Sequence, residues 1–445
     1  MSIQYIKSTG FVVLMLLTIL AKGQQVLSLE EALRMALQNN YDILLSKNDS
    51  AVAALDYSYR NAVFLPQVNA TAGTNWTNNY SEQGFENTNN NRSGRVGAHN
   101  INASVALNWT LFDGMRMFVA RDKAGQFVQL GEKVIRNQVV NTVSQVINTY
   151  YAIVREKQQL QAVEEQIRLS QSRVELTSRR LEIGMGTRPD MLQSQVDLNA
   201  HIAARLRQEA LIDQLKETLN QLLFPDQIGV ASTNYDVETD IPLQGNLDKE
   251  DILRDMDSTN PLLDIARKQI DIAQLDLREV KSERWPTVQF NAGYNFSRSQ
   301  NTTVINPFMP LSNLGSGFNY GLTASVPILN FRNTHRRIKQ AELSINLQTM
   351  IYNSQRSQLR LGVLQAFKEY EFQKKALELE ESNISLAREN VDIIQESFRL
   401  GGATFVQLRE AEKSLEDAYN RLISARYNTK VAETELMRLR GDLLR

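Results

Sequence analysis

The 445-residue chain contains no cysteine. A disulfide framework, a thiolate metal site and a thiol nucleophile are therefore excluded, and a lipidated N-terminal cysteine is not expected. Histidine is scarce: His99, His201 and His335 lie far apart and read as surface residues rather than as a metal set. No glycine-rich phosphate loop follows a strand–helix signature, and Gly401-Gly402 reads as the turn that ends a long helix. An excess of positive charge is also missing. With 49 Lys and Arg against 50 Asp and Glu, the net charge of −1 gives no footprint for nucleic acid. No catalytic centre, cofactor site or metal site emerges, so an enzyme is not expected.

Long apolar runs are confined to the start. Residues 1–23 read as a secretory signal, with Lys7, an apolar run from Phe11 to Ala21, and small Ala21 and Gly23 before a cut. Nothing later approaches the roughly 18 to 20 apolar residues of a spanning helix, so a membrane location would have to come from strands.

Such strands are present. In Asn100–Phe112, Ile101, Ala103, Val105, Leu107, Trp109 and Leu111 alternate with Asn102, Ser104, Ala106, Asn108 and Thr110. One face is apolar and the other is polar without charge, and Asp113-Gly114 follows as a turn. A tilted strand of about 11 to 13 residues climbs roughly 25 to 30 Å, the height of a bilayer's apolar band. Three further runs alternate in the same way, so the spans are about 67–77, 100–112, 287–297 and 318–329, arranged as two hairpins. Asn78–His99 and Ser299–Gly317 read as irregular extracellular loops. Trp76, Trp109, Tyr294 and Tyr320 are candidates for an interfacial girdle.

The remainder is helical. A first helix opens at Ser28-Leu29-Glu30-Glu31 and runs to about Val63 before Pro66. From Met115 to about Ile183 there is no proline, and Val139, Val146, Ile153, Leu160, Ile167, Val174 and Leu181 recur every seventh residue as a coiled-coil seam. Gly184-Met185-Gly186-Thr187-Arg188-Pro189-Asp190 breaks it, and a shorter helix follows to about Leu223. Residues 224–246 read as an irregular linker.

Beyond that linker the pattern starts over. Leu27, Asn40, Pro66 and Gly73 recur 220 residues on as Leu247, Asn260, Pro286 and Gly293. From the second strand the offset is 217, pairing Gly184 with Gly401 and Thr187 with Thr404. The seam returns as Val363, Tyr370, Leu377, Ile384, Val391 and Phe398. Residues 27–223 and 247–443 are thus two copies of one unit: short helix, strand, strand, long helix, short helix. The short helices of a unit, stacked end to end, would match the long one in length.

Four membrane strands leave two open edges, and unpaired backbone groups find no water in lipid. The chain must therefore oligomerise. Two copies would close an eight-stranded barrel with little lumen, and three would close twelve strands around a pore.

In their duplicated order, Phe64-Leu65-Pro66-Gln67-Val68, Leu111-Phe112-Asp113-Gly114, Val326-Pro327-Ile328-Leu329-Asn330 and the two Gly-x-x-Thr turns resemble the TolC-like outer membrane efflux proteins. The resemblance spans essentially the whole chain after the signal. It implies a mixed α and β membrane protein of a Gram-negative outer membrane, a homotrimer whose twelve-stranded barrel continues into a long α-helical coiled-coil periplasmic barrel. It further implies an exit duct docking with a periplasmic adaptor and an inner-membrane pump, and contact with outer membrane lipid. Gly184, Thr187, Gly401 and Thr404 would form the periplasmic tips that meet the adaptor. The positions of the family's aperture acids fall on Gln407 and Glu410, of which only Glu410 is acidic. Arg188 and Asp190 would be polar latches between helices. The alternative from another class is an exported coiled-coil structural or adhesive protein, which would have no need of uncharged alternating strands.

Overall fold

The computed structural model describes residues 25–225, 235–245, 247–305 and 309–443. The expected signal lies outside the described residues, as does the middle of the expected linker. The chain forms two compact units: one takes in residues up to Ser50, Gly131–Ile265 and Tyr352 onward, the other Ala51–Leu130 and Ala266–Ile351.

The second unit carries the sheet. Strands β2 (Gln67–Gln83), β3 (Arg92–Asp113), β5 (Thr287–Thr303) and β6 (Ser312–Ser325) pair antiparallel in the order β2-β3-β5-β6. The register preserves the alternation seen in the sequence. Ala70 faces Val105, Val105 faces Tyr294 and Tyr294 faces Phe318, while Thr71 faces Ser104 and Ser104 faces Asn295. Directly paired residues share a face, so the apolar set forms one continuous surface and the polar set the other.

The strands differ from expectation at their far ends. Asn78–His99 is mostly strand rather than loop, with β2 reaching Gln83 and β3 starting at Arg92. Likewise β5 runs to Thr303 and β6 starts at Ser312. These Asn-, Ser- and Gly-rich stretches have poor strand propensity by themselves, and pairing with a neighbouring strand overrides it. A register shift at Gly97/Ala98 is accommodated because Gly97 lacks a side chain: a Cβ there would lie 2.4 Å from Thr302 Oγ1. The fourth strand also ends at Ser325, ahead of Pro327, rather than at 329.

The first unit is mostly helical, and several of its helices include residues of the second. The expected first helix is two helices, α1 (Leu29–Asn39) and α2 (Tyr41–Ser58), separated by Asn40. The long α3 (Arg116–Glu182) and α4 (Arg188–Leu223) follow. In the second copy α5 (Lys249–Thr259) and α6 (Pro261–Ser282) break at Asn260, and α7 (Asn333–Leu400) and α8 (Phe405–Arg440) complete the repeat. The two asparagines explain the breaks. Asn40 Oδ1 accepts from Asp42 N at 3.0 Å and its Nδ2 donates to Leu222 O at 3.3 Å, at the end of α4. Asn260 repeats this with Leu262 N at 2.9 Å and Leu439 O at 2.8 Å. Each side chain supplies partners to backbone groups that a helix interruption leaves open, and it sets the short helices end to end.

The second seam is packed as its period predicts, with Val363, Tyr370, Leu377, Val391 and Phe398 all buried. In the first copy Val146 and Ile153 are fully buried beside Tyr150, Leu219 and Leu223. Further along α3 the buried line moves to Gln166, Ser170, Arg173 and Thr177. Ile167 of the seam stays buried there, but the buried positions around it are polar.

Part of the stretch read as an irregular linker is ordered. Tyr235–Val237 forms β4, which pairs in parallel with β1, Gln25–Leu27. Buried Tyr150 ties the pair down: its hydroxyl donates to Leu27 O at 2.8 Å and accepts from Glu238 N at 3.2 Å. Burial pushes the Tyr150 phenol up to about 12.

Candidate functional site

On the polar face of the sheet the side chains satisfy one another without charge. Thr71 and Ser104 hydroxyls lie 2.8 Å apart, Asn295 Nδ2 donates to Asn319 Oδ1 at 2.9 Å, and Asn291 Nδ2 donates to Thr323 Oγ1 at 3.4 Å. His99 lies on the opposite face, directly paired with Trp76: its Nε2 is 2.8 Å from Thr74 Oγ1 and its ring stacks on the Trp76 indole at 4.7 Å. The polar face accepts water and weakly polar solutes, and its Asn, Ser and Thr side chains hold no fixed charge to bind an ion tightly.

The helix turns at 184–187 and 401–404 are built alike. Gly184 (φ 76°) and Gly401 (φ 87°) take the left-handed conformation. Met185 N donates to Arg180 O and Gly402 N to Ser397 O, each at 2.8 Å, closing both long helices with the same double-bonded cap. Thr187 and Thr404 then start the next helices, their hydroxyls accepting from Asp190 N and Gln407 N at 3.3 Å.

These caps employ several of the expected site residues. Gln407 Oε1 accepts from Thr404 N at 2.8 Å, completing a reciprocal capping box. Asp190 Oδ2 accepts from Thr187 Oγ1 at 2.7 Å, inside its own turn. Arg188 and Glu410 are exposed, and among the described residues neither forms an ion pair.

The links between helices come from arginines that pattern reading passed over. Arg173 of α3 is buried; it donates to Glu412 of α8 and, at 2.9 Å, to Asp197 of α4. One guanidinium thus joins a long helix to short helices from both copies. Burial raises the Glu412 carboxyl above the ordinary glutamate range, with Arg173 opposing and Asp197 adding to the rise. Nearer the turns, Arg180 donates to Phe398 O at 2.5 Å and lies 4.5 Å over the Phe398 ring, tying the two tips together. The only signal for Arg173 in the sequence is its place beside the seam residue Val174.

An open four-stranded sheet, apolar on one face and neutral-polar on the other, in a chain with a duplicated helical hairpin, has the character of an outer-membrane channel protein. The family model for "Outer membrane efflux protein" matches residues 32–223 and 252–442, and the chain belongs to that family. It is a family of channels rather than enzymes, and it places the protein in the outer membrane of a Gram-negative envelope with a periplasmic extension. The outer membrane protein TolC of Escherichia coli is 21% identical over 270 residues, covering 59% of this chain. The match spans about half of that relative's length, 53%. Among solved structures, the outer membrane protein VceC of Vibrio cholerae superposes with a TM-score of 0.72 at 14% identity, covering 93% of this chain and 96% of that one. The outer membrane channel MtrE of Neisseria gonorrhoeae, in its open state, gives 0.68 at 15%, covering 93% and 89%.

Proposed function

We propose that the protein is the outer-membrane exit duct of a tripartite efflux or type I secretion system, closed as a homotrimer. The observation that carries this reading is the open sheet. β2 and β6 are its free edges, and successive strands alternate in direction, so β6 of one copy runs antiparallel to β2 of the next. Ring closure by a heterologous interface then pairs every backbone group that would otherwise face lipid, each worth several kcal/mol. Three copies supply twelve strands with the polar face inward, wide enough for a water-filled lumen.

Transport through such a duct is passive; its energy comes from an inner-membrane pump reached through a periplasmic adaptor. The turns at Gly184, Thr187, Gly401 and Thr404 are the docking tips. Glu410 and Gln407 follow the second turn and border the aperture, so three-fold symmetry would gather three Glu410 carboxylates about the axis. Arg188 and Asp190, beside the first turn, would act as polar latches between neighbouring helices. The test is the protein mass of the complex extracted in mild detergent, by light scattering with the detergent contribution removed. Three chains are expected; a single chain, or recovery in the soluble fraction, refutes the shared barrel and favours a coiled-coil structural protein.

A further inference from the structure

A groove of about 670 Å³ lies beside the periplasmic ends of the strands, lined by Tyr57, Arg60, Arg121, Asp122, Gly125 and Arg278 among others. Three guanidiniums share it with one carboxylate. Asp122 is paired to Arg121 at 3.3 Å. Arg60 donates to Tyr57 O at 3.0 Å and lies 4.1 Å over the Tyr57 ring, so it is held in place without an anionic partner. Arg278 forms no ion pair among the described residues. The nearest acids on its helix are already taken, Glu279 by Arg116 at 3.1 Å and Asp276 by Lys123 at 2.5 Å.

A chain of contacts shows which side of the wall the groove occupies. Trp109 belongs to the apolar, lipid-facing set of β3, and its indole N–H donates to Phe64 O at 2.8 Å. The Phe64 ring packs 5.1 Å from Phe118, and Arg121 lies 5.8 Å over Phe118. The arginines therefore sit just beneath the aromatic residues that end the apolar band, at headgroup depth. The fold does not demand this set: the second copy has Val280 and Ile338 where the first has Arg60 and Arg121.

We infer that this groove binds the phosphate of an anionic phospholipid of the inner leaflet, with Arg60, Arg121 and Arg278 as the oxyanion ligands and the acyl chains rising along Phe118, Phe64 and Trp109. Guanidinium forks suit phosphate oxygens, and a basic pocket at the membrane border favours a headgroup with net negative charge. Gly125 leaves room on the α3 side, where a Cβ would meet only the Tyr57 ring at 3.5 Å.

The experiment is native mass spectrometry of the full-length channel in mild detergent, titrated with phosphatidylglycerol, phosphatidylethanolamine or inorganic phosphate. Wild type is expected to retain phosphatidylglycerol at least tenfold more tightly than phosphatidylethanolamine. Arg121→Gln with Arg278→Gln is expected to remove that preference, and Gly125→Leu, which keeps every charge but fills the groove, to weaken it several-fold. Equal retention of the two lipids by wild type overturns the proposal, as does a preference that survives both variants. Displacement of phosphatidylglycerol by millimolar inorganic phosphate overturns the lipid assignment and makes soluble phosphate the ligand. The oligomer mass is read in the same spectra, so failure of the lipid site is separable from failure of the shared barrel.

Discussion

Replacing Arg173 by Met tests whether the buried ion cluster holds the helix tips together. The Arg173 side chain is 3% exposed, that of Glu412 6% and that of Asp197 21%. Removing the cation leaves two carboxylates near each other, one of them buried, and breaking a buried pair from one side costs about 3 to 5 kcal/mol. At about 1.4 kcal/mol per factor of ten, local opening becomes roughly a hundredfold to a few thousandfold more frequent. Hydrogen exchange by mass spectrometry on the intact channel reads this directly as lost protection in residues 173–197 and 405–415, while residues 139–153 keep theirs. The effect has a pH signature. A carboxyl raised on folding binds its proton more readily in the folded chain, so Glu412 favours the folded state as pH falls into the window above the ordinary glutamate value and disfavours it as pH rises. Without Arg173 that window widens upward, so the loss is largest at neutral pH and shrinks as pH falls. Arg173→Met combined with Glu412→Gln removes most of the unpaired charge and should restore much of the protection. Unchanged exchange in the single variant, or no recovery in the double one, would refute the reasoning.

Four shorter predictions accompany this one. Val105→Lys puts a charge on the lipid-facing side of β3, costing about 2 to 4 kcal/mol near the midplane, and should reduce heat-resistant oligomer in isolated outer membranes; Ser104→Lys, on the polar face, should be tolerated. Gly114 has φ 72° and a Cβ there would lie 2.3 Å from Ser282 O, whereas Gly401 has φ 87° with open space around it. Gly114→Ala should therefore lower the melting temperature and yield of assembled protein far more than Gly401→Ala, for which only a dihedral cost of about 1 to 2 kcal/mol applies. Thr404→Ala removes the hydroxyl that accepts from Gln407 N, leaving the backbone half of the capping box, and should raise exchange at residues 405–408 by about 0.5 to 2 kcal/mol equivalent, with α7 unaffected. Glu410→Ala should weaken cation selectivity and widen cation leak in planar-bilayer recordings of the isolated channel, and unchanged conductance and selectivity would remove Glu410 from the aperture.

Much of this molecule was legible in the order of its residues because its main elements are defined by local repetition. Period two in Ile101–Leu111, period seven in Val363–Phe398 and the two Gly-x-x-Thr turns each declare an element without reference to distant chain. The duplication then lets each copy check the other, so the family resemblance stood on motifs in sequence order. What the pattern did not convey depends on partners remote in sequence. Asn78–Gln83 and Arg92–His99 become strand only because they face each other across a hairpin. Asn40 and Asn260 interrupt helices because Leu222 O and Leu439 O lie within reach of their side chains. Arg173, Glu412 and Asp197 are dispersed over 239 residues and meet only when α3, α4 and α8 pack together. The groove of Arg60, Arg121 and Arg278 is likewise assembled from α3, α6 and the turn that follows α2. Periodicity records which face of an element is buried, since burial selects residue type at a fixed spacing. It carries no record of which element covers that face, and charged side chains find their partners there.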